Sequence, residues 1–165
     1  MLIRGNRTVA RAAVLVAFAV GTVHAAASLY WALGGRWLLP TVGEWAVRAA
    51  QTAPTQAALL LGAIGLVKLA AAGIPVGVEW GVVSWAPFWR VICWIGGVGL
   101  VIYGGINIVV SGAVLLGIVR PEGGYDADAM IGHAFLWDPL FLIWGIALVI
   151  WLRASGTPRP RRLEG

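Results

Sequence analysis

Charge is scarce in this chain and cysteine nearly absent. Charged residues occupy 12% of the 165 positions and hydrophobic residues 60%. With a mean hydropathy of +0.86, the composition lies outside that of a soluble domain and describes an integral membrane protein. The lone Cys93 forms no internal disulfide, and its place in an apolar helix points to packing. A phosphate-binding glycine loop, a zinc-spaced Cys/His cluster and an activated-serine motif are also missing. The sequence therefore names no metal site and no cofactor. Its net charge of +5 is not that of a nucleic-acid binder, because the arginines gather at Arg4, Arg7, Arg11 and at Arg153, Arg159, Arg161, Arg162, flanking apolar segments without forming a basic face.

What is present is a series of long apolar runs. Arg4, Arg7 and Arg11 followed by AAVLVAFAV could open a cleavable signal peptide, but the run continues to Leu33. About 20 apolar residues cross a hydrocarbon core, so residues 12–31 are expected to form the first transmembrane helix. Gly34, Gly35 and Pro40 break the pattern, and residues 43–52 read as a short interfacial helix in which Trp45 anchors and Arg48 snorkels. The second span is expected over 54–72, ended by Gly73 and Pro75. Trp80, Trp85, Trp89 and Trp94 form an interfacial belt. The third span, 91–119, carries Gly96, Gly97, Gly99, Gly104, Gly105 and Gly112, which would let neighbouring backbones approach closely. The fourth, 130–152, follows an acidic connector at 121–129.

The expected fold is therefore all-α, a four-transmembrane-helix bundle with short interfacial helices. It forms one membrane domain over 1–152, with a basic tail over 153–165 that is expected to be disordered. Eight Lys and Arg residues flank the spans on the side of the termini, against Arg36, Arg48 and Arg120 on the other. The positive-inside rule places the chain in the plasma membrane with both termini cytoplasmic.

Within the spans, ionisable residues are few and are functional hypotheses by default. By helical rise, His24 and Asp138 lie at similar depth in the outer half, with His133 further out and Lys68 toward the cytoplasm. Lys68 is thus expected to snorkel to the headgroups. On an unbroken helix His133 and Asp138 point about 140° apart, which pairs Asp138 with His24 as a candidate acid/base couple. Pro139 removes a backbone donor and disfavours the helical region at Asp138, so a kink or break is expected there, and Asp138 could equally be a helix cap. His133, Trp137, Tyr103, Asn107, Tyr30 and Trp31 are the candidate ligand-binding residues. Tyr103, Asn107 and Ser111 recur every four residues, as interhelical hydrogen-bonding groups or a cavity wall.

His24 followed by YWALGG at 30–35, and LWDP at 136–139 with Trp144-Gly145, resemble an uncharacterised family of small bacterial four-helix membrane proteins, catalogued as a domain of unknown function. The resemblance implies the four-span layout and no chemistry. Three functional classes follow from the residues. The first is a site for a small lipophilic ligand, an enzyme if Asp138 and His24 act as acid and base. The second is an oligomeric transporter or channel, opposed by the lack of a Glu in the spans and of an inverted repeat. The third is a redox subunit holding haem between His24 and His133, opposed by a depth mismatch of about 8 Å. A structural role beside another membrane protein is also compatible. The expected partners are the lipid bilayer, a lipophilic small molecule and, through the glycine faces, a second copy of the chain.

Overall fold

The computed structural model describes residues 7–156. Arg4 and residues 157–165, most of the expected disordered tail, lie outside them. Four helices are long and apolar enough to cross a membrane. They are α1 (Arg7–Ala32), α3 (Pro54–Glu79), α4 (Ala86–Leu115) and the composite fourth span. That last span is α5 (Ala127–Gly132), a π turn (His133–Trp137) and α6 (Asp138–Ala154). The short α2 (Glu44–Thr52) and a 3-10 turn (Leu39–Val42) link α1 to α3.

Helix ends follow local chemistry. The second span runs past Gly73 and Pro75, its expected end, to Glu79. Pro75 is fully buried, and a proline is tolerated within a membrane helix where neighbouring protein surrounds it. The third starts early, with a proline in its first turn. It stops at Gly117, whose φ of +69° lets the amide of Ile118 return to Ala113 O at 2.9 Å, a left-handed glycine stop. Arg11 remains helical, its guanidinium 5.8 Å from the Trp80 ring. Arg90 over Trp151 and Arg153 over Trp94 repeat that pairing at the same end, as cations and aromatics do at an interface.

The helices pack in the order α3, α1, α6, α4, with α3 and α4 touching only slightly. Small residues place α1 at the centre: Ala10, Ala13, Ala17, Gly21, Ala25 and Ser28 recur every three or four positions and are buried. The α4–α6 contact is equally close. A methyl group at Gly104 would lie 2.6 Å from Asp138 O, and one at Gly145 2.6 Å from Gly97 O. Of the glycines singled out in α4, Gly97 and Gly104 make this contact, whereas Gly96, Gly99, Gly105 and Gly112 face open space. Two apolar clusters result, one toward the termini around Trp144, Leu148 and Trp151, the other toward the loops around Trp31, Leu61 and Trp137. His24, Ser28 and Lys68 meet between them, beside Trp137 and Asp138, whereas Glu79 bonds Trp151 toward the termini.

Candidate functional site

Pro139 has no N–H for the turn before it, and the helix widens there into the π turn His133–Trp137. Asp138 itself stays helical, at φ −79° and ψ −32°, so the expected break is a widened turn. That turn corrects the sequence geometry. Residues five apart diverge on an α-helix, but a turn closing i to i+5 brings them to one face, and His133 Nδ1 lies 2.7 Å from Asp138 Oδ2. The carboxylate therefore pairs with His133 and not with His24. Nor is it a helix cap, since no side chain caps the start of α6. Asp138 is fully buried, and its Oδ1 has no hydrogen-bond partner among the described residues.

His24 belongs to a second group. Its Nε2 donates to Trp137 O at 3.1 Å. A carbonyl only accepts, so the proton of the ring sits on Nε2 and Nδ1 is left as an acceptor. Lys68 Nζ fills that position at 3.2 Å and also donates to Ser28 Oγ at 3.0 Å, while Ser28 Oγ donates to His24 O at 3.3 Å. Lys68 thus reaches into the protein where a snorkelling side chain was expected. The extra length of α3 is the reason, because it moves the helix midpoint toward Lys68. The depth match of His24 with residue 138 holds for the neighbouring Trp137 carbonyl, while the azimuth sends the carboxylate elsewhere. Both nitrogens of His24 are engaged and His133 turns to Asp138, a donor set that does not fit a shared haem iron.

Aromatic rings surround this group. Phe141 stacks on His24 with centroids 3.9 Å apart, receives the edge of Tyr103 at 5.7 Å and lies 5.5 Å from Lys68 Nζ. Trp137 packs on Trp31 at 5.2 Å and donates through Nε1 to Thr41 Oγ1 at 3.0 Å. The loop after α1 is thereby folded against the fourth span, and Gly132 is required because a Cβ there would collide with the Thr41 backbone. Trp31 Nε1 donates to Trp37 O. Tyr30, about half exposed, accepts from the Trp37 amide through its hydroxyl. Asn107 bonds back to Tyr103 O on its own helix, so of the α4 polar stripe only Tyr103 touches the central rings.

Lys68, read from the sequence as a snorkelling side chain, completes the site with Ser28, Phe141 and Thr41, which were not among the site candidates. Ser28 carried one signal, its place one turn from His24 on the same face of α1. At the loop end, Pro40, Glu44, Tyr125, Asp126 and Asp128 line an open groove of about 610 Å³. Asp126 is committed to structure there, its Oδ2 accepting from the Glu44 amide and its Oδ1 from the Ala129 amide. Among the described residues no three His, Cys, Asp or Glu side chains stand together as a metal site.

No curated protein and no solved structure gives a significant match to the chain. A family model described as protein of unknown function (DUF3995) matches residues 21–148, a stretch that contains all four site residues of the two ionisable pairs. This multi-pass helical protein, embedded in a membrane by four apolar helices, belongs to the DUF3995 family.

Proposed function

We propose that the protein binds a small lipophilic molecule at the polar layer between its two apolar clusters and exchanges protons with it. One observation carries this reading. His24, Lys68, His133 and Asp138 converge on the Trp137–Phe141 segment in two hydrogen-bonded pairs. An Asp or Lys at mid-membrane costs roughly 2.5–3.5 kcal/mol on insertion scales, and well-packed apolar residues would hold the same helices together at least as well. Asp138, backed by His133, supplies one proton-exchanging group. His24, backed by Lys68, supplies the other, beside the Trp137 carbonyl. Trp31, Trp137 and Tyr103 form the surrounding wall, with Tyr30 and Asn107 at its margins.

The arginine distribution orients the termini to the cytoplasm of a plasma-membrane protein, which sets the site in the outer half of the bilayer. The test is extraction of bound lipophiles from protein purified in nanodiscs, followed by mass spectrometry. A species enriched over the bulk lipid and lost in the Asp138→Asn, His24→Ala double variant is the expected result. The same enrichment in a folded double variant would sink the acid/base site.

A further inference from the structure

Lys68 is the chain's one lysine, and it lies about 16–21 Å along α3 from either helix end at 1.5 Å per residue. That places its amine in hydrocarbon, below the reach of phospholipid phosphates. An ammonium has three donors. Two go to the neutral acceptors His24 Nδ1 and Ser28 Oγ. Among the described residues no carboxylate forms an ion pair with it, and the carboxylate of the same layer, Asp138, bonds His133 through Oδ2 and leaves Oδ1 without a partner. A cation in a membrane interior is ordinarily paired, and Lys68 has two neutral partners and one N–H donor left over, a place for an anion from outside the chain.

The surroundings give that charge a shape. Lys68 on α3 and Tyr103 on α4 both reach Phe141, while α3 and α4 themselves scarcely touch. Tyr103 is 52% exposed and Phe141 half-buried, and the outer helices stand apart over them. We propose that Lys68, Phe141 and Tyr103 form a trough open sideways to the lipid and that it binds a lipophilic acid. Its carboxylate accepts from Lys68 Nζ, and its hydrocarbon lies along Phe141 and Tyr103. The assignment rests on the lipophilic-ligand reading above and adds the charge of the ligand.

The experiment uses the full chain in phosphatidylcholine nanodiscs, with tryptophan emission quenched by 9,10-dibromostearate. Quenching should saturate and be reversed by oleate but not by methyl oleate. Lys68→Met should weaken it by about tenfold or more, and Lys68→Arg should largely retain it. Circular dichroism establishes that each variant is helical; if Lys68→Met does not fold, the acid-against-ester comparison and Lys68→Arg decide the matter. Equal competition by the ester would overturn the acid while leaving the ligand site standing. Absence of saturable quenching by the acid and by its brominated methyl ester alike would overturn both.

Discussion

The Asp138–His133 bond couples a fully buried carboxylate to a ring that remains partly open, 26% exposed. Removing the carboxylate leaves His133 Nδ1 without its acceptor in a low-dielectric layer. Asp138→Ala should therefore lower stability by about 1–3 kcal/mol, whereas Asp138→Asn keeps an acceptor oxygen and should lose less. Denaturant unfolding in detergent measures both, and equal losses would show that hydrogen bonding is not what holds the pair. At this scale the sequence was partly legible. His24, His133 and Asp138 stand out because ionisable groups are rare in apolar segments. Their partners were hidden because a π turn shifts every residue after it in azimuth, and because Trp137 contributes a carbonyl, which no side-chain pattern reveals.

Among the elements, the α4–α6 seam offers a controlled comparison. Gly104→Ala places a methyl group 2.6 Å from Asp138 O and 2.9 Å from Leu142 N, both backbone atoms that cannot move aside singly. It should cost about 1–3 kcal/mol. Gly105→Ala meets nothing within 4 Å and should be neutral, or stabilising by up to about 1 kcal/mol through helix propensity. Thermal unfolding of the two variants distinguishes a seam from a uniformly glycine-softened helix. The connectors have their own linchpin. Asp126 meets the starts of α2 and α5 with its two oxygens, so Asp126→Ala removes a contact from two helix N-termini at once. A loss of about 1–2 kcal/mol is expected, with faster hydrogen exchange at the Glu44 and Ala129 amides; unchanged exchange at either would separate the two contacts. The glycine-rich character of α4 was evident in its sequence, but which glycines face α6 depended on the register of the seam.

For the whole molecule, the row α3, α1, α6, α4 divides labour between two central helices, whose most apolar stretches are 39% and 44% buried, and two outer ones at 22% and 17%. The outer faces, with Leu59, Leu66 and Val67 on α3 and Ile95, Ile102 and Ile106 on α4, suit lipid tails. The orientation proposed from the arginines predicts that green fluorescent protein fused to the C-terminus fluoresces, while alkaline phosphatase at the same place is inactive. The reverse result would invert the site into the inner half. Four apolar runs were legible because spanning a bilayer imposes length and hydropathy locally, and the short α2 was legible as a helix between two breaks.

The amino-acid sequence by itself determined that the chain crosses a membrane, how many helices do so, and which few ionisable residues lie within the apolar runs. Those properties depend on composition along the chain. Only the tertiary structure decided which partners those residues take. Pairing depends on azimuth and on the close approach of helices far apart in sequence, and both were set by a widened turn before Pro139, by the extension of α3 through Pro75, and by the glycines at which α4 and α6 meet.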